Sequence, residues 1–127
     1  MARPCPCGSS ARYRDCCGAL HAGAPAPTAE ALMRSRYSAY VVGDGPYLER
    51  TWHPTTRPAS VTTDRTTTWT GLEVLRVEQG GPGDVRGVVE FRAHLVDDGV
   101  VGVLHEVSRF VRTDDGWQYV RGRAGGS

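Results

Sequence analysis

The sequence predicts an α+β protein in which a small cysteine-rich segment precedes one helix-and-sheet domain. Two observations carry this prediction. All four cysteines lie between residues 5 and 17, and the spacing of apolar residues changes from helical to strand-like near residue 69. A chain of 127 residues is long enough to bury one core without disulfide bonds. Helices followed by a run of strands are typical of the α+β class.

The composition narrows the range of functions. The formal net charge is +1, so the chain lacks the strong positive field of most nucleic-acid-binding proteins, and we do not expect a nucleic-acid partner. No apolar run approaches the roughly 20 residues that cross a bilayer, so we expect no membrane insertion. No signal peptide precedes the cysteines, which predicts a cytoplasmic protein. The chain contains no lysine, which excludes a lysine nucleophile or Schiff base.

The four cysteines, Cys5, Cys7, Cys16 and Cys17, form two close pairs with eight residues between them. They could form disulfides, remain unreactive thiols, or bind one metal ion. Disulfides require an oxidising compartment, and a chance cluster of four thiols in so short a stretch is rare. Zinc accepts four thiolates in a tetrahedron at about 2.3 Å, and such closed sites are structural. We therefore predict one structural zinc ion bound by all four cysteines.

The residues around the cysteines support a metal site. Gly8 and Gly18 allow the chain to turn directly after each cysteine pair. Zinc with four thiolates carries a net negative charge, and Arg12 and Arg14 are placed to offset it. Together with Tyr13, these arginines are also candidate contacts for a partner. An equally good interpretation is that all three only cover the metal.

Beyond the cysteines, the residues at 22–27 are alanine, glycine and proline, which predicts a hinge. Thr28 is placed to cap a helix, and apolar side chains recur at helical spacing over residues 29–41. Two glycines in the segment 43–45 end this helix. Proline opens a shorter second helix, predicted at residues 46–52.

Residues 55–68 are polar and contain proline, which predicts a loop. Four strands follow it, predicted at residues 69–79, 85–96, 100–112 and 117–121. Two of the intervening turns contain Asp-Gly, a strong hairpin signal. The third strand is apolar on both faces, which predicts a central position. A bent sheet over the first helix should bury Leu32, Met33, Tyr37, Phe91, Leu95, Leu104 and Phe110.

Two parts of the chain resemble known families. The run from Cys5 to Ser9, followed by residues 13–18, is similar to the SEC-C motif, a zinc-binding segment of the SecA translocation ATPase and of several small bacterial proteins. This motif usually has Gly-Lys where the chain has Ser10-Ala11. Four further blocks resemble the YchJ family, small bacterial proteins with an amino-terminal SEC-C motif; they lie at residues 31–40, 51–54, 105–110 and 116–122.

This resemblance implies the organisation of the whole chain. It implies a SEC-C-like zinc-binding motif over residues 1–21 and a nuclear transport factor 2-like domain over residues 28–123. In that fold, helices pack inside a curved antiparallel sheet. The order of helices and strands predicted above agrees with it but does not single it out. The resemblance implies no particular biochemical activity.

The sequence leaves more than one functional interpretation open. The favoured one is a binding or adaptor protein, in which the zinc segment presents a docking surface to a protein partner and the domain supplies a second surface or a homodimer face. The alternative is an enzyme or small-ligand binder that uses a pocket inside the domain, with Glu106, His53 and Tyr37 as candidate catalytic residues. A nucleic-acid-binding zinc knuckle is the least favoured.

The catalytic candidates also have purely structural interpretations. Glu106 shares a strand face with Leu104 and Phe110, where a carboxylate among apolar neighbours could act as a base. We favour instead a buried ion pair between Glu106 and an arginine, for which the candidates are Arg34, Arg36 and Arg92. For His53, which precedes a proline, a capping or packing role is favoured over a catalytic one.

Overall fold

The computed structural model describes residues 3–64 and 66–125, in which a four-stranded antiparallel sheet packs against a central helix. The helices are α1 (Cys17–His21), α2 (Ala29–Val42) and α3 (Gly45–Arg50), and the strands are β1 (Thr67–Gln79), β2 (Arg86–Asp97), β3 (Val100–Thr113) and β4 (Gly116–Ala124). The strands pair in chain order, so β3 is central as predicted. The α+β class is confirmed.

Helix α2 begins and ends where its sequence signals lie. The Oγ1 atom of Thr28 accepts the backbone N–H three residues later at 3.0 Å, and Gly43 follows the helix with a left-handed φ of 80°. Eight of the fourteen residues of α2 are buried, including the polar Ser35, Arg36 and Ser38. The helix is buried on several sides because the sheet covers one of them and the amino-terminal segment covers another.

The core between α2 and the sheet confirms most of the predicted set: Leu32, Met33, Tyr37, Phe91 and Phe110. The prediction is wrong for Leu104, which is 41% exposed, and Leu95 is only half-buried. Leu104 lines a cavity between α2 and the sheet rather than the packed core. The helix and the strands also differ in length. A 14-residue strand such as β3 extends about twice as far as a 14-residue helix at the usual rise per residue. The tip of the β2–β3 hairpin therefore projects beyond α2.

Three local features differ from the sequence prediction. A short 3-10 turn (Tyr13–Asp15) and α1 were not expected, because elements of three and five residues carry no recognisable period. Helix α3 ends two residues early, and Trp52 instead forms a parallel bridge with Tyr119 of β4. Each strand also extends one to three residues past a predicted end.

None of the helices described is both long and apolar enough to span a membrane.

Candidate metal centre and adjoining cavity

The four cysteine sulfur atoms meet at one point beside α2. The Sγ atoms of Cys5, Cys7, Cys16 and Cys17 all lie within 4.8 Å of one another, and the four residues are free thiols. The sulfurs of Cys7 and Cys16 are 3.7 Å apart. A tetrahedral site with metal–sulfur bonds of about 2.3 Å has sulfur–sulfur edges of about 3.8 Å. The donor set therefore fits one metal ion that prefers four thiolates.

The cluster is enclosed on most sides. Cys5, Cys7 and Cys17 are buried, while Cys16 is half-buried and its sulfur lies 3.2 Å from Ser9 Oγ. Four protein ligands complete a tetrahedral shell and leave no position for water or a substrate. The arrangement suits a metal ion that holds the chain together rather than one that performs chemistry.

The first cysteine pair lies in a short hairpin. The backbone N–H of Cys5 donates to Ala11 O at 2.9 Å, and that of Gly8 donates to Cys5 O at 3.2 Å. Gly8 has a φ of 83°, a left-handed conformation that glycine adopts without strain. The predicted turn after the first pair is therefore present.

Gly18 has a different role from the predicted turn, because it lies within α1. A Cβ atom at this position would stand 2.7 Å from Tyr13 O and 2.9 Å from the Tyr13 ring. Only glycine lets the chain before the second cysteine pair pack so closely against α1. This close approach folds the chain tightly around the second pair, Cys16 and Cys17.

Helix α2 supplies two side chains to the surroundings of the sulfurs. Ser38 is fully buried, and its Oγ lies 3.8 Å from Cys5 Sγ. Arg34 donates from Nη1 to Cys7 O at 2.8 Å. Residues four apart share one face of a helix, so Arg34 and Ser38 form a single contact surface for the cysteines. The sequence shows this spacing but does not show that the cysteines pack against this face.

Among the described residues, the surface arginines make no hydrogen bond or ion pair with the cysteines. Arg12 pairs with Asp15 at 2.9 Å, with about half of each side chain exposed, and Arg14 is exposed. The positive charge that contacts the cysteine loop belongs to Arg34 of α2 instead. Tyr13 is half-buried rather than freely exposed, because it packs against α1.

His21 links the cysteine segment to α2 a second time. Its Nε2 lies 2.8 Å from Ser35 O, and a carbonyl can only accept, so Nε2 carries the hydrogen. In the neutral ring, Nδ1 then accepts from the Tyr13 hydroxyl at 2.5 Å. The His21 ring also lies 4.6 Å from the Tyr47 ring. Sequence reasoning missed His21, because neither its spacing nor its neighbours distinguish it from a surface histidine.

The thiols influence one another's ionisation. The hydrogen bond from Cys17 is the main reason that the pKa of Cys7 falls to about 4, and the same bond, with burial, raises the pKa of Cys17. This hydrogen bond favours the ionised form of Cys7 and the neutral form of Cys17. A metal ion would displace the remaining protons, so its affinity should rise with pH.

A cavity of about 240 Å³ lies between α2 and the sheet. Seven of its thirteen lining residues are aromatic, and its polar lining consists mainly of Arg36, Glu106 and Ser108. Of the three catalytic candidates, Tyr37 and Glu106 line this cavity, whereas His53 is not part of its lining. Burial raises the pKa of Tyr37, so its hydroxyl stays protonated at neutral pH.

Glu106 is held by hydroxyl groups. Its carboxylate accepts from Ser108 Oγ, and the Tyr119 hydroxyl donates to it at 3.5 Å. Gly122 of β4 leaves room for the carboxylate, since a Cβ there would overlap it. In the described chain no arginine lies within ion-pair distance of Glu106. The predicted buried ion pair is therefore wrong for Arg34, Arg36 and Arg92.

His53 has the capping position that was favoured for it. Its backbone N–H donates to Tyr119 O at 2.8 Å, which ties the segment after α3 to β4. Its Nδ1 accepts the backbone N–H of Thr55 at 3.2 Å and so closes a tight turn.

Comparison with known proteins identifies both parts of the chain. Residues 28–122 match the family described as YchJ, middle NTF2-like domain, and residues 3–19 match the SEC-C motif. A UPF0225 protein of Streptomyces coelicolor is 54% identical over 120 residues, which covers 94% of each chain. A UPF0225 protein of Xanthomonas campestris is 48% identical over 122 residues, with the same coverage.

Two solved structures share the fold. The solution structure of a SEC-C motif containing protein from Rhodopseudomonas palustris superposes with a TM-score of 0.83 at 34% identity, covering 98% of this chain and 100% of that one. The crystal structure of a SEC-C motif containing protein from Psychrobacter arcticus gives 0.77 at 27% identity, covering 98% and 84%. The chain therefore belongs to the YchJ family, with a SEC-C motif followed by an NTF2-like domain.

Proposed function

We propose that the protein binds one zinc ion through Cys5, Cys7, Cys16 and Cys17, and that this ion is structural. The observation that supports the proposal is the meeting of four sulfur atoms within 4.8 Å of one another. Zinc and iron are the usual metals of four-thiolate sites, and zinc alone among the two is redox-inactive. Thiolates must stay reduced to bind it, so the proposal requires a reducing compartment such as the cytoplasm.

The role of the ion follows from what surrounds it. Each cysteine pair belongs to a segment too short to fold alone, and contacts from Arg34, Ser38 and Ser35 tie these segments to α2. Small metal-binding segments are typically unfolded without their ion. Zinc would therefore hold the amino-terminal segment in a fixed shape on the surface of the NTF2-like domain.

Metal analysis tests this proposal. The full chain, purified without chelators, should contain one zinc ion per protein when measured by plasma mass spectrometry, and it should show no visible absorption from iron. Folded protein that lacks metal, or that contains iron in place of zinc, would contradict the proposal.

We also propose that the zinc-bound segment acts as a docking surface for a protein partner. The exposed Arg12 and Arg14 support this, because the Arg12 side chain pairs with Asp15, and among the described residues neither arginine side chain bonds to a cysteine. Tyr13 is engaged with His21 and is less suited to such a contact than the sequence suggested. A fixed loop carrying two arginines suits an acidic patch on a protein.

Crosslinking in cells tests the docking surface. The double variant R12E/R14E should keep its zinc but lose its protein crosslinks, whereas the control R121E, at an exposed arginine of β4, should keep both. Crosslinks between two copies of the chain would identify a homodimer as the partner. Identical crosslinks in the double variant and the wild type would refute a role for this surface.

A further inference from the structure

The cavity has room for one ring and a small polar group. An apolar cavity of about 150 Å³ in another protein binds benzene. The cavity here measures about 240 Å³. Its wall contains the Trp69 ring, whose centre lies 6.2 Å from that of Tyr37 and 5.9 Å from that of Tyr40. Edge-to-face and tilted contacts are preferred geometries between aromatic rings. A planar aromatic ligand could therefore make similar contacts with the rings of the cavity wall.

One end of the cavity offers hydrogen-bond donors. Arg36 is 6% exposed, and its Nη1 donates to Leu48 O at 2.9 Å and to Thr51 Oγ1 at 2.7 Å. A guanidinium has N–H groups on Nε and Nη2 as well. For these the described chain provides no acceptor. Neither nitrogen is fully enclosed, so both keep contact with open space, and Arg36 lines the cavity.

A second polar group of the cavity, Glu106, is an acceptor. The ionised carboxylate of Glu106 can only accept, and the two hydroxyls that it contacts leave part of its capacity unused. Tyr119 lies between the two charged groups. Its ring centre is 4.6 Å from the Arg36 guanidinium carbon, and its hydroxyl is 3.5 Å from the Glu106 carboxylate.

These groups discriminate between classes of ligand. A carboxylate on the ring would pair with Arg36 but would be repelled by Glu106, and an amine would do the reverse. A hydrocarbon would leave the remaining N–H groups of Arg36 and the remaining acceptor capacity of Glu106 unused. An amide edge satisfies both groups without adding charge, because its carbonyl accepts and its N–H donates.

We propose that this cavity binds a small planar molecule consisting of one aromatic ring with an amide-type edge, the carbonyl towards Arg36 and the N–H towards Glu106. This site is separate from the cysteine centre and is independent of which metal occupies it. Molecules of this class include ring carboxamides and cyclic amides.

A set of four simple probes tests the chemistry. The full chain, as purified, is titrated with benzamide, benzoate, benzylamine and toluene while amide and indole signals are followed by NMR. Benzamide should shift the signals of cavity residues, Trp69 and Phe91 among them. It should bind about tenfold more tightly than each other probe, a difference that corresponds to about one hydrogen bond to a charged group.

The variant E106Q should remove the preference for benzamide over benzoate. Glutamine keeps the shape of the side chain but removes its charge, so benzoate should gain about tenfold relative to benzamide. The matched control is E73Q, because Glu73 bonds His94 outside the cavity. It should leave the ratio unchanged.

Three results would overturn the proposal. The first is the absence of benzamide-induced shifts at cavity residues at millimolar concentration. The second is tighter binding of benzoate, benzylamine or toluene than of benzamide by the wild type. The third is an unchanged ratio of benzamide to benzoate affinity in E106Q.

Discussion

The cysteine centre and the cavity share helix α2 but differ in how complete they are. Arg34 and Ser38 extend from α2 to the cysteine segment, while Arg36 and Tyr37 line the cavity. The cysteine centre provides all four ligands of a closed shell from thirteen consecutive residues, Cys5 to Cys17. The cavity draws its lining from distant parts of the chain, and two nitrogens of Arg36 have no acceptor within the part of the chain that the structure describes.

This difference indicates different functions. A closed set of ligands can only stabilise the chain, because it leaves no position for another molecule. A cavity with unpaired donors and acceptors is suited to binding, since a ligand there replaces water in contacts that the protein leaves open. Variants that disturb one region and spare the other test whether this division holds.

The largest effect is expected for C7S. Cys7 is fully buried and lies at the centre of the cluster. Structural zinc binds small peptide sites with an apparent free energy of about 10–16 kcal/mol, so the loss of one ligand should release the metal and unfold the segment before α2. Metal content and the NMR signals of residues 3–21 measure this. The control S60A, at an exposed loop residue, should behave like the wild type. Stoichiometric zinc in C7S would exclude Cys7 as a ligand.

G18A should have the next largest effect. The added methyl group would stand 2.7 Å from Tyr13 O, so either the 3-10 turn or α1 must move. We expect a loss of about 1–3 kcal/mol in the free energy of unfolding, the usual cost of overpacking. Denaturant unfolding measures it. In the control G83A the methyl group meets open space. Equal stability of the two variants would show that Tyr13 does not need this close approach.

R34Q should weaken metal binding without preventing folding. The substitution removes the hydrogen bond to Cys7 O and the positive charge beside the thiolates. Loss of a group that supports metal ligands typically lowers affinity by about 10- to 100-fold. Competition with a chromophoric chelator measures this. The matched control is R14Q, at an exposed arginine, and we expect no change in its affinity. Equal losses in both variants would restore the role first assigned to the surface arginines.

The smallest effect on stability is expected for G122A. The new methyl group would overlap the Glu106 carboxylate, which is the end of a flexible side chain and can move aside. We expect a cost of about 1 kcal/mol or less for the altered rotamer. The displaced carboxylate should reduce the preference for benzamide over benzoate, measured by NMR titration, while G83A keeps it. An unchanged preference would mean that Gly122 does not position Glu106.

The features that were predictable depend on residues close together in the chain. The Thr28 cap, the end of α2 at Gly43 and the Asp-Gly hairpins each depend on contacts within a few residues. The cysteine cluster was predictable for the same reason, because its two pairs are separated by only eight residues. Spacing in the sequence is enough for such features, since the intervening chain is too short to lead elsewhere.

The features that were missed depend on how whole elements pack. Arg34, Ser38 and His21 are ordinary residues in the sequence, and they matter because the cysteine segment lies on one particular face of α2. Leu104 has the pattern of a core residue but lines the cavity and is 41% exposed. Glu106 has hydroxyl partners rather than an arginine, because Ser108 and Tyr119 are near and Arg36 bonds elsewhere.

The sequence by itself determined the clustering of the four cysteines, the order of helices and strands, and the α+β class. Only the tertiary structure decided that α2 both contacts the cysteine segment and lines a cavity, and that Nε and Nη2 of Arg36 have no acceptor among the described residues. The physical reason is the range of the interactions. Capping, turns and adjacent ligands act within a few residues, whereas burial of a charged group depends on the lengths and faces of elements far apart in the chain.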